Sequence, residues 1–169
     1  MENFKNEVVT ELPEITKVEF QHIHKNYLKV ILINTFLVFI PLLIGLIFFT
    51  NRNLSESFTE YITLVYALFF VVFILIFFFL ILGFSRRKYA LRDLDISYKS
   101  GVIVKTMTTV PFSRIQHIEI DEGPISRYFG LASLSVYTAG DSSDDLEVKG
   151  IEKEEALRIK EFISSKINE

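Results

Sequence analysis

The chain has 169 residues, of which 50% are hydrophobic and 17 are Phe, and its formal net charge is −3. A chain of this length holds one ordinary domain, or a smaller domain together with a membrane anchor. The negative charge gives the whole chain no electrostatic basis for binding nucleic acid. Because the chain has no Cys, disulfides, thiolate nucleophiles, zinc–thiolate sites and iron–sulfur clusters are excluded.

The N-terminal residues 1–16 read as a flexible acidic leader that contains four Glu. Thr16 and Glu19, three residues apart, form the capping-box pattern that marks a helix start. The apolar residues that follow recur at helical spacing. We therefore predict a helix that begins near Lys17 and continues into the first membrane span.

Two apolar blocks, at about residues 30–49 and 61–84, contain no Asp, Glu, Lys or Arg. A bilayer core is crossed by about 20 apolar residues in a helix. A buried helix of a soluble protein would normally keep a polar face, and these blocks have none. We predict a helical membrane anchor over residues 17–84, in which the short loop between the blocks forces an antiparallel hairpin.

Basic residues flank both predicted spans on the side away from the connecting loop. Lys25 and Lys29 precede the first span, and a basic neck of Arg86, Arg87 and Lys88 follows the second. Because Lys and Arg are retained in the cytoplasm, we expect a multi-pass protein of the cell membrane with both termini cytoplasmic. The sequence favours the basic neck as a topology anchor, and a site for anionic lipid headgroups is the alternative.

From Tyr89 onward the apolar residues recur with a period of about two, which is typical of half-buried strands. A turn is predicted at Lys99–Gly101, a helical turn that ends at Gly130, and an amphipathic helix over Glu152–Ile167. These elements predict an α+β domain over residues 85–169. The predicted strands are 94–98, 102–110, 115–120, 134–138 and 146–148.

Three segments of the second half resemble the bacterial pleckstrin-homology (PH) domain of the second subtype. They are Val110–Ile118, which contains a Pro-x-x-Arg-Ile-Gln block, Ser126–Leu134 and Thr138–Gly140. The two-span hairpin is similar to that of the small YdbS-like membrane proteins. The resemblance implies two nearly orthogonal antiparallel sheets that a C-terminal helix closes at one end. It also implies no catalytic activity and occurrence beside a longer relative with repeated copies of the domain.

Candidate partner-binding residues are Arg114, Gln116 and Arg127, which lie in the segments that carry the resemblance. Arg114 and Gln116 alternate with Ile115, so we expect them to face away from the apolar core. One interpretation is a contact surface for a partner or for the membrane. The other, which the sequence favours, is a structural role in setting a turn and the strand register.

Two further groups are assigned structural roles. Tyr128 and Phe129 are predicted to plug the end of the barrel rather than to form a binding platform. Asp141, Ser143 and Asp145 match the spacing of a calcium loop. The glycine that such a loop needs is replaced by Leu146, so a solvated hairpin is the preferred interpretation.

No catalytic, metal-ligand, cofactor or phosphate-loop motif stands out in the sequence. We therefore predict a non-enzymatic protein that assembles with other membrane proteins, such as a larger multi-copy relative or a second copy of itself. The alternative is an adaptor that senses lipid headgroups, and transport is disfavoured because the spans carry no charge. Headgroup sensing is expected to be weak because Lys99 and Lys105 have Asp93 and Asp95 close by in the sequence.

Overall fold

The structure is a computed structural model that describes residues 18–52, 56–140 and 145–167. The helices are α1 (Tyr27–Arg52), α2 (Glu56–Arg86), α3 (Pro124–Tyr128) and α4 (Lys153–Ile167). The strands are β1 (Gln21–His22), β2 (Lys88–Leu91), β3 (Asp95–Ser100), β4 (Thr106–Pro111), β5 (Ile115–Asp121), β6 (Leu131–Thr138) and β7 (Leu146–Glu152).

The helices α1 and α2 are both long and apolar enough to cross a membrane, as predicted. Aromatic side chains pack where the two helices meet. The ring centroid of Phe73 lies 4.9 Å from that of Phe39 and 5.8 Å from that of Phe36. Large apolar side chains remain exposed along both helices, which is the surface that lipid chains solvate.

Strand β1 precedes α1, and the other six strands follow α2; together they form two antiparallel sheets, which confirms the predicted α+β class. One has the strand order β1-β2-β3-β4, and the other has the order β5-β6-β7. Helix α4 closes the roll by burying Ala156, Ile159 and Ile163, as its periodicity predicts. Ile167 was expected on the same face, but it is 44% exposed. It is the last described residue of α4.

Strand β1 replaces the helix that the capping-box pattern predicts near Lys17. Gln21 pairs with Tyr89 and His22 pairs with Lys88 in antiparallel register, and α1 begins only at Tyr27. The predicted helix start is therefore wrong for the described residues, while Thr16 and Lys17 themselves lie outside them. The physical reason is that strand β2, which is distant in sequence, forms the main-chain hydrogen bonds of these residues that a helix would otherwise supply.

The core of the domain includes residues from both sides of the membrane hairpin. Ile23, Tyr27 and Val30 are at most 9% exposed and belong to the same apolar cluster as the strands and α4. The domain therefore does not begin at residue 85, because β1 and the first turn of α1 are part of it. The largest fully buried side chains are Ile96, Leu131, Leu134, Ile151, Ile163, Val136 and Val148.

Gly150 fixes the start of α1 against strand β7. Its carbonyl accepts a 2.8 Å hydrogen bond from the main-chain N–H of His24. Its φ of +81° lies in the left-handed region, and a Cβ at this position would overlap the ring of Tyr27. Only glycine lets the first residue of α1 pack directly on the backbone of the sheet.

We expect Gly150→Ala to destabilise the full chain more than Gly130→Ala does. Both glycines have positive φ, so each substitution costs about 1–3 kcal/mol of backbone strain. Gly130 has open space around it, whereas the new methyl at Gly150 meets Tyr27 and adds about 1–3 kcal/mol of overpacking. Unfolding curves of the two detergent-solubilised variants measure the difference. Equal losses of stability would show that Tyr27 does not pack on Gly150.

Candidate functional site

The predicted partner-binding residues lie at two opposite ends of the second sheet. We call the end at which α1 begins and α2 stops the anchor end, and the opposite one the far end. The Nζ of Lys29, in α1, lies 5.8 Å from the centre of the Phe129 ring, so the segment around α3 is at the anchor end. Strand β5 separates Arg114 from this segment by 7 residues, or about 20 Å.

Arg114 and Gln116 share an exposed surface at the far end. Both are exposed while Ile115 between them is 8% exposed, as predicted, although Arg114 ends a 3-10 helix (Phe112–Arg114) and only Ile115 and Gln116 belong to β5. The main-chain oxygen of Arg114 accepts a 2.9 Å hydrogen bond from the N–H of Ala139. The register shifts between Ile115 and His117, so Gln116 is the extra residue of a bulge. Such a bulge re-aims side chains at a strand end.

Arg127 lies apart from Arg114 and Gln116, on α3 at the anchor end. Its side chain is 72% exposed, and its Nε lies 3.8 Å from Glu122 Oε2. The other oxygen of Glu122 lies 2.7 Å from Lys153 Nζ. Arg127 therefore belongs to a surface charge cluster between α3 and α4, not to one site with Arg114.

Tyr128 does not plug the roll as the sequence predicts. It is 85% exposed, whereas the neighbouring Phe129 packs against the apolar core as expected. The two rings are perpendicular, with their centroids 5.3 Å apart. In the short helix α3 consecutive side chains point in different directions, so only one of the pair reaches the core.

The basic neck divides between two environments. The guanidinium carbon of Arg87 lies 5.8 Å from the centre of the Tyr27 ring, where a cation–π contact is favourable. Arg86 and Lys88, on either side of it, line a cavity of about 730 Å³. The neck is therefore both a support for α1 and one wall of a pocket.

This basic pocket lies between β1, the end of α2 and the β3–β4 turn. Its ionisable lining residues are His22, Arg86, Lys88, Lys99 and Lys105. No Asp or Glu lines it among the residues that the structure describes. Lys99 Nζ lies 3.6 Å above the ring centre of Phe20, which holds this ammonium group at the rim. A cavity lined by four Lys and Arg side chains attracts anionic groups.

Asp95, one of the two acidic residues that were expected to weaken this charge, is paired outside the pocket. Asp95 forms two hydrogen bonds of 2.7 and 2.6 Å with Arg92, at the far end of β3. Asp95 is four residues from Lys99 along a strand, which is about 13 Å. Asp95 therefore does not neutralise Lys99, contrary to what their closeness in sequence suggests.

A buried tyrosine joins β2, the strand that pairs with β1, to helix α4. The hydroxyl of Tyr89 donates a 2.6 Å hydrogen bond to Glu155 Oε1 and lies 3.1 Å from Gln21 Oε1. Its single proton goes to the nearer carboxylate. Burial, and then the hydrogen bond to Glu155, raise the pKa of Tyr89 well above its ordinary value. Tyr89 therefore stays protonated and joins β2 to α4 at any physiological pH.

The calcium-loop pattern falls mostly outside the described residues, because Asp141 and Ser143 are not among them. Asp145, which is described, uses its Oδ1 to accept a 2.9 Å hydrogen bond from the main-chain N–H of Thr138. This bond spans the strands β6 and β7 where their connection begins and ends. Asp145 has a structural role in that hairpin.

Comparison with known proteins gives a family for this architecture. Residues 29–167 match the family model described as Bacterial PH domain. A stretch of 77 residues is 31% identical to the transmembrane protein YdbS of Bacillus subtilis (strain 168) and covers 46% of each chain, so the match spans about half of that relative. A crystal structure of a DUF1696 family protein with a pleckstrin-homology domain, from Shewanella loihica PV-4, is 18% identical. It covers 50% of this chain and 73% of that one, with a TM-score of 0.39.

The family match covers most of the chain, including both apolar helices and both sheets. The helices supply the membrane anchor. The two antiparallel sheets and the closing helix α4 form the PH-like roll. The chain is a membrane protein that belongs to the Bacterial PH domain family.

Proposed function

We propose that this protein is a non-enzymatic adaptor of the cell membrane, whose PH-like domain binds another membrane protein at the cytoplasmic face. The observation that carries this proposal is the double attachment of the domain to its spans. β1 precedes α1, β2 follows α2, and the two strands pair. The domain therefore has a fixed orientation, with the surface around Arg114 and Gln116 turned away from the bilayer.

A domain held in this way needs only modest affinity for a membrane partner. Tethering confines both proteins to one plane, which gives an effective concentration of roughly millimolar order. Arg114 is a suitable anchor, because a planar guanidinium makes several hydrogen bonds at once and Arg is enriched at binding hot spots. A longer relative with several copies of the domain is the partner class that the family resemblance favours.

The ionisable groups of the domain support a scaffold rather than an active site. Arg92 and Asp95 close the β2–β3 turn, and Tyr89 and Glu155 join β2 to α4. Each close pair thus stabilises a junction between elements. No nucleophile lies beside a base in the candidate surfaces described above, which favours binding over chemistry.

The orientation is tested by a reporter placed at the C-terminus or in the loop between α1 and α2. We expect a C-terminal reporter that is active only in the cytoplasm to be active, because the basic neck is retained there. Moving the same reporter into the loop between α1 and α2 supplies the control and should abolish its activity. Activity of a C-terminal reporter that works only outside the cytoplasm would overturn the proposed topology.

The partner surface is tested by cross-linking in native membranes. We expect Arg114→Ala and Gln116→Ala to reduce recovery of the partner, while the amount of folded protein stays unchanged because both side chains are exposed. Such exposed substitutions typically change stability by about 0.5 kcal/mol or less. Arg158→Ala, an exposed Arg on α4, is the matched control.

Two outcomes separate a binding role from a structural one. If Arg114→Ala loses folded protein in proportion to recovered partner, Arg114 is structural and the site assignment fails. If all three variants recover the partner equally, the far-end surface does not bind it. Mass spectrometry of the recovered complex distinguishes a larger relative from a second copy of this chain.

A second candidate function, sensing of anionic lipid headgroups, is favoured by the basic pocket. It opens where α2 ends and its four Lys and Arg side chains face no lining carboxylate among the described residues. Each such charge near an anionic bilayer contributes about 1 kcal/mol. The geometry suits a lipid phosphate at the level of the basic neck.

The second candidate is tested by the double variant Lys99→Gln with Lys105→Gln. We expect it to lose about 2 kcal/mol of affinity for phosphatidylglycerol, measured by native mass spectrometry of the full chain in detergent. Lys149→Gln with Lys160→Gln removes the same charge outside the pocket and should retain the lipid. Equal retention by both double variants would exclude headgroup binding in the pocket.

A further inference from the structure

The turn between β3 and β4 presents two large apolar side chains to its surroundings. Ile103 is 81% exposed and Val104 is 74% exposed, and both lie at the tip of the segment Gly101–Lys105. An isolated exposed apolar residue is ordinary. Two adjacent β-branched residues at a turn tip are unusual, because turns favour Gly, Pro, Asn, Asp and Ser. The exposed apolar surface that these two side chains form therefore indicates a contact with apolar surroundings.

The turn is positioned at the depth of the membrane. Val102 packs beside helix α2, since a Cβ added at Gly83 would lie 3.6 Å from Val102 Cγ2. Gly83 precedes Arg86 by three residues, which places it about 4.5 Å further into the span. Basic residues at a helix end mark the headgroup layer. The turn thus meets α2 on the lipid side of that layer.

The turn is also held in one conformation. Gly101 has a φ of +100°, and the position of its missing Cβ is occupied by the main-chain oxygen of Val104. The strands on either side pair up to Ser100 and Thr106. The apolar tip is therefore a fixed projection of the sheet rather than a loosely attached segment.

The charges at the base of the turn match a bilayer surface. Lys99 and Lys105 flank the turn and line the basic pocket together with Arg86 and Lys88. Elements that lie in the membrane interface show this pattern, in which apolar side chains stand next to basic ones. Long Lys side chains reach headgroup phosphates while apolar neighbours enter the acyl boundary.

We propose that the β3–β4 turn is a third membrane contact of this protein, in addition to its two spans. Ile103 and Val104 enter the boundary between headgroups and acyl chains, and Lys99 and Lys105 lie at the level of the phosphates. The occupant of this surface is the lipid of the leaflet from which α2 emerges. The contact goes beyond the proposed partner binding, which uses the far end of the domain.

A single tryptophan tests this contact without background, because the chain contains no Trp. The full chain carrying Ile103→Trp is reconstituted into phosphatidylglycerol vesicles with and without brominated acyl chains. We expect its emission to move to shorter wavelength and to lose intensity with brominated lipid. Val104→Trp repeats the measurement at the neighbouring residue, in case one substitution impairs folding.

Leu94→Trp is the matched control for both variants. Leu94 is 76% exposed in the turn between β2 and β3, at the far end of the same sheet. The emission of the Leu94→Trp variant should resemble that of a solvated Trp and stay unquenched by brominated lipid. If Ile103→Trp and Val104→Trp behave like Leu94→Trp, the turn does not enter the bilayer. This readout does not involve the partner, so its failure leaves the proposed adaptor function standing.

Discussion

The pairing of β1 with β2 is the contact on which the rest of the structure depends. Within a bilayer each backbone polar group must form its hydrogen bond inside the span, so the chain crosses the membrane as one helix, α1, and returns as another, α2. Where it emerges, Gln21 pairs with Tyr89 across 68 positions of sequence, and His22 pairs with Lys88. The membrane hairpin is thus an insertion between two neighbouring strands of one sheet.

This insertion removes the hinge that a domain attached by one linker would have. Ile23, Tyr27 and Val30 continue the domain core into the first turn of α1, and Gly150 packs against Tyr27 from the sheet. Moving the domain relative to the bilayer would require breaking these apolar contacts. The orientation in turn divides the surface, with the basic pocket at the anchor end and Arg114 at the far end.

The sequence predicted those elements whose signals are local and long. The two spans need only about 20 apolar residues each, and α4 shows its apolar face through Ala156, Ile159 and Ile163. Strand β1 has only 2 residues, too few for an alternating pattern, and the capping-box residues beside it favoured a helix. Its conformation is set by a partner strand on the other side of the hairpin, which no local pattern reports.

The candidate sites follow the same division between local and long-range information. The exposure of Arg114 and Gln116 around the buried Ile115 was predictable from the polar–apolar pattern. The structure produces it differently, with a 3-10 helix that ends at Arg114 and a bulge at Gln116. The basic pocket was not predictable, because its lining comes from β1, the end of α2 and the β3–β4 turn. In sequence, Lys99 looks neutralised by Asp95, but the extended strand separates the two charges by about 13 Å.

The net charge of −3 is therefore a poor guide to the field that this domain presents. Among the described residues, Asp95 pairs with Arg92 and Glu122 pairs with Lys153, both outside the lining of the pocket. Basic groups collect where α2 ends, because Arg86 is the last residue of that helix and Lys88 is the first residue of strand β2. Arg87 turns to Tyr27 while Arg86 and Lys88 turn to the pocket. One short basic segment thus both braces α1 and supplies positive charge to the pocket.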